Sequence, residues 1–361
     1  MAIQLISRKL LYIASALTWL ASANALVCAA PASHDGNAIC QLMELEPPFS
    51  PNIQMLPSQA SDTSGGAAAK TAHQPKRHAS GILDVTPMMC WIDNPTKLTA
   101  VVVCVHGLGL HKGTYAQFGQ RLAKQGYAVY AMDVRGFGSF LELPGERKCD
   151  FPKCLEDVRS ALQMVHEAHP GLPVFLLGES MGGAIALRVT ATDPALVDGL
   201  ISSVPAAERY GQSKNAMKIG IKLLTAPNKE MDVSDVVVNQ STDKTALRQE
   251  WSKDPLARFM LTPVELLQFQ HFMEANERSA KNITKTPVLM VQGTSDKLVR
   301  HEANEHIIRQ IPSPDSQLVF VDSAEHLIFE EGQFNDGVIA LVSDWLKTHS
   351  QTAKAQAITA K

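Results

Sequence analysis

The stretch that decides the fold is PVFLLGESMGGAIAL, residues 173–187. Its first five residues are a continuous apolar run typical of a buried strand, and the residues from Met181 onward predict a helix. The sequence GESMG (178–182) stands between the two, so Ser180 is predicted to lie on a sharp turn from strand to helix. The flanking glycines permit the close backbone approach that such a turn needs. This context predicts a serine whose hydroxyl projects into a cleft as a nucleophile.

Apolar strands and amphipathic helices alternate on both sides of this stretch. Strands are predicted at residues 98–106, 127–133, 173–177, 199–204, 287–292 and 317–321, and helices at about 114–125, 153–168, from 181 onward and around 342–349. Strands that are continuous apolar runs are typical of a parallel sheet buried on both faces, and helices of this length connect parallel strands. The predicted fold class is therefore α/β, with a mostly parallel central sheet and helices on both faces.

One domain is predicted over residues 81–349, because a chain of 361 residues with 45% hydrophobic residues can build one large core. Residues 206–273 interrupt the alternation with a long, mainly helical stretch, which we interpret as a cap inserted after the strand that ends at Val204. Its apolar residues suit either a cap core or a lid over an apolar pocket. Residues 350–361 are predicted to form a polar tail.

The N-terminal residues 1–28 have the pattern of an export signal. Arg8 and Lys9 precede an uncharged run of 21 residues, and the small residues ASA (21–23) suit cleavage by signal peptidase. An uncleaved membrane anchor is the alternative, because a helix of that length spans the hydrocarbon core of a bilayer. Residues 29–80 are rich in Ser, Ala, Pro and Gly and are predicted to be a disordered linker. We expect an exported protein, secreted or periplasmic, or one anchored to a membrane by this segment.

Charge and cysteine usage limit the classes of partner. The net charge of −3 arises from 36 acidic and 33 basic residues spread along the chain, so no basic face for nucleic acid is expected. Cys104 lies within an apolar strand and is expected to be a buried thiol. Cys149 and Cys154 are close enough in sequence for a local disulfide, a pairing that the sequence leaves open. No further His or Cys pair completes a zinc site, so no metal is expected.

A serine becomes a strong nucleophile only when a base removes its proton, and that base needs a carboxylate to orient it. Asp296 follows the predicted strand at 287–292, and His326 follows the strand at 317–321. Loops at the ends of strands can direct both side chains into one cleft. Ser180, Asp296 and His326 also occur in the order that the α/β-hydrolase fold uses, so we predict that they form a catalytic triad.

Acyl transfer also needs hydrogen-bond donors for the charge that develops on the carbonyl oxygen. The sequence HGLG (106–109) at the end of the first long strand can present the backbone N–H of Leu108, and the turn after Ser180 can present that of Met181. We therefore predict an oxyanion hole at Leu108 and Met181. His106 is expected to shape its turn, since His326 already supplies the base.

Six motifs, in order, resemble those of the monoacylglycerol lipase and lysophospholipase branch of the α/β-hydrolases, which is often grouped with serine aminopeptidase-like proteins. They are HGLGLH (106–111), DVRGFGS (133–139), GESMGG (178–183), DPL (254–256), QGTSD (292–296) and EH (325–326). The resemblance extends over residues 88–347 and implies a helical cap, an oxyanion hole at Leu108 and Met181, and no cofactor. One departure is Glu179, where the animal monoacylglycerol lipases have His.

Together these residues and the resemblance predict a serine hydrolase that cleaves carboxylic esters through an acyl-enzyme on Ser180. The expected partner is a small lipid or ester, in particular a monoacylglycerol or a lysophospholipid-type lipid, whose acyl chain lies beneath the cap. Contact with a membrane surface through the cap or the N-terminal anchor is a further expectation. The alternatives are a short-chain esterase, an acyltransferase of the same fold, and a non-catalytic ligand-binding protein that keeps the fold.

Overall fold

The computed structural model describes residues 39–43, 86–210 and 212–359. The strands in these ranges are β1 (Ile39–Met43), β2 (Met88–Trp91), β3 (Ala100–Val105), β4 (Tyr127–Met132), β5 (Val174–Glu179), β6 (Gly199–Ser203), β7 (Met231–Asp232), β8 (Met260–Leu261), β9 (Val288–Gly293) and β10 (Ser316–Val321). Eight of these described strands form one sheet in the order β1-β10-β9-β6-β5-β3-β4-β2, and β7 pairs with β8 separately. Within the large sheet every neighbouring pair is parallel except β2 with β4.

The central strands are buried on both faces, which explains their uninterrupted apolar sequences. Every residue of β3, β4, β5, β6 and β9 is buried. Alternate residues of β3 belong to different apolar clusters, Val101 and Val103 to one, Val102 and Cys104 to the other. The sheet therefore separates two hydrophobic cores.

Helices cover both faces of the sheet. The described helices are α1 (Ala116–Ala123), α2 (Phe151–Ala168), α3 (Met181–Thr192), α4 (Gln212–Thr225), α5 (Ser234–Ser241), α6 (Thr245–Lys253), α7 (Pro263–Glu274), α8 (Asn276–Ala280), α9 (His301–Gln310) and α10 (Asp336–Thr359). Residues of α2, α3 and α9 pack in the first core, and residues of α1 and α10 pack in the second. The predicted α/β class, with a mostly parallel sheet and helices on both faces, is confirmed.

A helical insertion separates β6 from β9. As far as the structure describes it, the insertion contains α4 to α8 and the short β7–β8 pair. It includes residues 206–273, the stretch predicted to be a cap, which is mainly helical where the structure describes it. The last helix of the insertion, α8, packs against α3 and α9 and so belongs with the helices that cover the sheet.

Two predicted boundaries are wrong in part. Ile39–Met43 lies in the predicted linker at residues 29–80, yet it pairs in parallel with β10. The edge of β10 offers unpaired backbone groups, and the sequence ICQLM has apolar residues that favour a strand, so the linker prediction fails for these five residues. At the other end α10 continues to Thr359, into the predicted tail at 350–361, because Ala, Gln and Lys are good helix formers.

The four cysteines within residues 86–210 are free thiols: Cys90, Cys104, Cys149 and Cys154. Cys149 and Cys154 are both free, so the candidate disulfide between them is not formed. Cys104 is fully buried on β3, as predicted.

The predicted signal peptide or anchor, residues 1–28, lies outside the described residues. The same holds for the linker apart from β1 and for the predicted start of the domain at residue 81. Of the helices that the structure describes, none combines the length and the apolar character needed to cross a membrane.

Candidate active site

Ser180 lies between the end of β5 and the start of α3, with backbone angles φ 54° and ψ −115°. A positive φ is uncommon for a residue with a Cβ, and here it directs the serine out of the sheet. The glycines beside it allow the turn: a Cβ on Gly178 would lie 2.2 Å from the carbonyl oxygen of Gly182, and one on Gly182 would lie 1.9 Å from that of Val105. The predicted strand-turn-helix context of Ser180 is therefore present.

Asp296 and His326 lie beyond the ends of neighbouring strands β9 and β10. His326 Nδ1 is 2.9 Å from Asp296 Oδ2, and both side chains are almost fully buried. The other carboxylate oxygen of Asp296 accepts the backbone N–H groups of Leu298 at 2.7 Å and Val299 at 3.0 Å. Burial by itself raises the pKa of Asp296, but the neighbouring His326 and these hydrogen bonds outweigh it, and the pKa is lowered. The ionised carboxylate can only accept, so His326 Nδ1 donates and Nε2 is the basic nitrogen.

One cavity brings Ser180 and His326 together. Its polar walls also include Arg209 and Ser241, and its apolar walls come from the cap and from the loops at the sheet edge: Leu108, Leu110, Val236, Val237, Trp251, Phe259, Phe269, Met273, Leu298, Val299 and Leu327. Within the described chain no hydrogen bond joins the Ser180 hydroxyl to the His326 imidazole. Such bonds often tighten only when substrate binds.

Of the two residues predicted for the oxyanion hole, one follows the serine in sequence and the other lines the same cavity. Met181 is the first residue of α3, where backbone N–H groups lack helical partners, and Leu108 lines the cavity. Among the described residues, neither N–H is engaged by an acceptor. Gly107, the residue before Leu108, donates its N–H to Glu330 Oε1 at 2.7 Å. This hydrogen bond fixes the loop on which Leu108 lies.

His106 is locked into the same loop. Its Nδ1 lies 2.8 Å from the carbonyl oxygen of Gly107, and its Nε2 accepts the backbone N–H of Val134 at 2.9 Å. Burial lowers the pKa of His106 to about 4, so the ring is neutral at physiological pH. With both nitrogens bound to main chain, His106 shapes the turn, as predicted.

Glu179 and Glu330 belong to the surroundings of this site. Glu179, the residue before the serine, is fully buried and accepts backbone N–H groups of the segment that follows His326, including that of Ile328 at 2.6 Å. Glu330 contacts the loop of Gly107. Glu179 was noticeable in the sequence, because the animal monoacylglycerol lipases have His at that position. No local sequence pattern identifies Glu330, because its hydrogen-bond partners are remote in sequence.

The cap is anchored to the loops that carry the predicted site residues. Thr242 Oγ1 donates to Glu325 Oε2 at 2.6 Å, next to His326, and Asp243 forms an ion pair with Lys297, next to Asp296. On the other side of the cavity, His111 Nε2 lies 2.7 Å from Asp254 Oδ2. The DPL motif at 254–256 therefore holds the cap against the loop of Leu108.

No metal centre is evident in the described part of the chain, where no group of three or more His, Cys, Asp or Glu side chains could hold an ion.

Residues 96–333 match a family described as "Serine aminopeptidase, S33", and this match covers more than half of the chain. The chain belongs to this family of α/β-hydrolases. Among relatives of this hydrolase, the human protein "Monoglyceride lipase" is 28% identical over 274 residues, which cover 74% of this chain and 88% of that protein. "Monoacylglycerol lipase" of Mycolicibacterium smegmatis is 25% identical and covers 69% of this chain and 88% of its own.

Solved structures share the fold of the hydrolase. A soluble variant of monoglyceride lipase from Saccharomyces cerevisiae, in complex with a substrate analog, gives a TM-score of 0.63 at 21% identity, covering 78% of this chain and 97% of that one. The Paleococcus ferrophilus monoacylglycerol lipase gives a TM-score of 0.60 at 23% identity, covering 73% of this chain and 99% of that one. Taken with the family match, these relatives identify the hydrolase as one that cleaves carboxylic esters.

Proposed function

We propose that the protein hydrolyses lipid esters through an acyl-enzyme on Ser180, with His326 as general base and Asp296 as the residue that orients it. The observation that carries this proposal is the arrangement around one cavity. His326 bonds Asp296 through Nδ1 and lines the same cavity as Ser180, which lies on a turn with positive φ. These are the relations that a nucleophile, a base and an orienting acid require.

The reaction has two steps. Ser180 Oγ attacks the acyl carbon while His326 Nε2 takes the hydroxyl proton, and the same proton then passes to the leaving alcohol. A water molecule, deprotonated by His326, next attacks the acyl carbon; the bond to Ser180 Oγ breaks, His326 returns the proton to that oxygen, and the carboxylic acid is released. Asp296 stays ionised and stabilises the imidazolium during both steps.

The backbone N–H groups of Leu108 and Met181 are the proposed donors to the carbonyl oxygen. Met181 follows Ser180 directly, Leu108 lines the same cavity as Ser180, and both N–H groups lack an acceptor within the described chain. Because negative charge grows on that oxygen only as the transition state forms, donors held in place lower the barrier to reaction.

The substrate we propose is a monoacylglycerol or a lysophospholipid-type lipid. The largely apolar cavity walls suit one acyl chain, and relatives of the protein are called monoglyceride lipases. Arg209 favours the lysophospholipid, because this residue lines the cavity and its positive charge would attract an anionic head group, although its Nη2 also donates to Gln270 Oε1 at 2.8 Å. Burial lowers the pKa of Arg209 only to about 10, so the side chain stays cationic at neutral pH.

A substrate panel separates these candidates. Turnover of monoacylglycerols, lysophospholipids and nitrophenyl esters of graded chain length should peak with long acyl chains, and Arg209→Gln should selectively raise KM for the anionic lipids. A peak at short chains would identify a short-chain esterase, and transfer of the acyl group to added glycerol in preference to water would identify an acyltransferase.

Replacing the nucleophile tests the mechanism. Ser180→Ala should abolish ester hydrolysis in a protein that still folds. Ser241→Ala is the matched control, since Ser241 lines the same cavity but its hydroxyl donates to the Val237 carbonyl oxygen within α5 at 2.6 Å. This variant should keep most of its activity. Equal rates for Ser180→Ala and the wild type would refute the proposal, and loss of all activity in Ser241→Ala would point to a different nucleophile.

Membrane contact and export are also proposals. Ile221 and Leu224 on α4 are 58% and 64% exposed, and they could bring the cap to a lipid surface. Flotation with anionic vesicles should recover the protein, and the double variant Ile221→Ser, Leu224→Ser should reduce recovery.

Export predicts that the N-terminal segment directs the chain out of the cytoplasm. N-terminal sequencing of the exported form would distinguish cleavage from anchoring.

A further inference from the structure

Two buried glutamates connect the three segments of the active site. Both Glu179, at the end of β5, and Glu330, beyond His326, are 0% exposed. Glu179 accepts backbone N–H groups from residues 328–330, and Glu330 accepts the N–H of Gly107 at 2.7 Å. The serine turn, the segment after His326 and the loop of Leu108 therefore meet at one pair of carboxyl groups.

The Thr114 hydroxyl indicates which carboxyl group carries a proton. Thr114 Oγ1 is 2.7 Å from the carbonyl oxygen of His111 and 2.5 Å from Glu330 Oε2. A hydroxyl has one proton and a carbonyl oxygen only accepts, so the Thr114 proton belongs between Thr114 and His111. The contact with Glu330 then requires a proton on Oε2. If Thr114 donated to Glu330 instead, two oxygens would face each other at 2.7 Å with no proton between them.

Glu179 has the opposite surroundings. Its Oε1 accepts the N–H of Ile328 at 2.6 Å, and its Oε2 accepts those of Phe329 at 3.1 Å and Glu330 at 3.2 Å. Burial raises the pKa of Glu179 to about 7, against the three donors that converge on its two oxygens and favour the ionised form. Above that pH, one carboxylate and one carboxylic acid lie together in a fully buried site.

The groups around Glu330 agree with this assignment. The titratable residues that face it are Glu179 on β5, Glu331 beside it, Tyr115 before α1 and Cys104 on β3. None of these four is a cation at neutral pH. The Tyr115 hydroxyl donates its proton to the Val105 carbonyl oxygen at 3.0 Å, so its contact with Glu330 is one in which the tyrosine oxygen accepts. Burial, and next the charge of Glu179, raise the pKa of Glu330 well above its ordinary value.

We propose that Glu330 is a positioning residue that stays protonated beside an ionised Glu179, and that it holds Gly107 so that the Leu108 N–H meets the reacting carbonyl oxygen. Its carbonyl-like oxygen accepts from Gly107, and its O–H donates to Thr114. The role in positioning the Leu108 N–H rests on the function proposed above. The protonation of Glu330 is argued independently of that function, from the hydrogen-bond donors and acceptors around the two carboxyl groups.

Rescue by an amide tests the positioning role. Glu330→Leu leaves Gly107 without an acceptor and should lower kcat by about tenfold to a hundredfold with little change in KM, since the donor acts in the transition state. Glu330→Gln should restore most of kcat, because the amide accepts from Gly107 and donates to Thr114 as the acid does. Glu179→Gln should not be tolerated, since its NH2 group would face backbone N–H donors. Tolerance of Glu179→Gln together with failure of Glu330→Gln would overturn the assignment.

The pH dependence of stability gives a second test that needs no substrate. Glu330 is ionised in the unfolded chain above about pH 4.3 and must take up a proton on folding, so its contribution to wild-type stability falls as pH rises toward the folded pKa. The Tm of Glu330→Gln minus the Tm of the wild type should therefore increase as pH rises from about 5 to about 9. A Tm difference that stays constant over this range would contradict a protonated Glu330.

Infrared spectroscopy observes the proton itself. At neutral pH the difference spectrum of Ser180→Ala minus Ser180→Ala with Glu330→Gln should contain the C=O stretch of a protonated carboxyl group. Absence of that band overturns the inference even when hydrolysis depends on Ser180. Presence of the band with hydrolysis that survives Ser180→Ala would refute the proposed function and leave the protonated Glu330 in place.

Discussion

Ser180 occupies backbone angles that cost energy, and the residues around it offset that cost. The φ of 54° is held by a hydrogen bond from Ser180 N–H to the Ser203 carbonyl oxygen at 2.9 Å and by the continuation of the chain into α3. Gly182 lies against β3, where a side chain has no room. The backbone geometry of this serine therefore depends on neighbours that do not line the cavity.

Gly182→Ala should destabilise the protein by about 3 kcal/mol or more, since a Cβ there would overlap a backbone oxygen of a central strand. The distance to the Val105 carbonyl oxygen would be 1.9 Å, and the strand cannot move without breaking its ladder. Gly220→Ala is the control, because a Cβ added there would meet no atom within 4 Å in the described chain beyond its own helix backbone and chain neighbours, and in helix α4 the change should stabilise by up to about 1 kcal/mol. Denaturant unfolding measures both; equal effects would argue against the tight turn.

Asp296→Asn should leave the fold intact and lower kcat by about a thousandfold to ten-thousandfold, because an amide at this position no longer holds His326 in the productive tautomer. The chain offers a matched pair outside the cavity: His349 Nε2 lies 3.0 Å from Asp315 Oδ2. Asp315→Asn should keep kcat close to that of the wild type. Steady-state kinetics on a nitrophenyl ester compares the two, and similar losses would show that Asp296 has no special role.

Individual elements differ in how well their sequences predict them. Strands β3, β5 and β9 could be predicted within two residues because each is a continuous apolar run that the sheet buries on both faces. The edge strand β2, with the sequence MMCW, has only four residues and no alternation to distinguish it. Helix α9 was not predicted, because its polar sequence HEANEHIIRQ shows few apolar positions.

The cap is held at its base by a buried ion pair between Arg258 and Glu265. The pair is bidentate, with Nη1 to Oε1 at 2.9 Å and Nη2 to Oε2 at 3.0 Å. Burial raises the pKa of Glu265, but the Arg258 hydrogen bonds prevail and lower it below its ordinary value. The contribution of this pair to stability is therefore present above the unfolded pKa and is lost as pH falls through the folded pKa.

Glu265→Gln should cost about 3 kcal/mol of unfolding free energy, since it removes the buried counter-charge of the Arg258 guanidinium and leaves only the half-exposed Glu230 at 3.5 Å. Glu302→Gln is the control: Glu302 is 59% exposed and lies 3.8 Å from Arg300 on the surface, where loss of the pair should cost less than about 1 kcal/mol. Urea unfolding at neutral pH measures the difference. A cost at Glu265 no larger than at Glu302 would contradict a buried, stabilising pair.

At the scale of the whole molecule, the parallel sheet explains how distant residues meet. Strands β5, β6, β9 and β10 are neighbours and run in one direction, so the loops that carry Ser180, Asp296 and His326 emerge at one edge. Their meeting could be predicted because each follows a recognisable strand. The contact of Glu330 with Thr114 and Gly107 could not, since it joins residues more than 200 positions apart with no shared motif.

Covalent trapping tests most directly whether Ser180 is the nucleophile. A fluorophosphonate should react with the folded wild-type protein at Ser180 alone, and His326→Ala should greatly reduce the rate of labelling. The tryptic peptide 160–188 also contains Ser160, so fragment spectra must assign the modified residue. We predict one adduct, on Ser180, with parallel loss of ester hydrolysis. An adduct on another residue that accounts for the loss of activity, or full activity after complete labelling of Ser180, would contradict the mechanism.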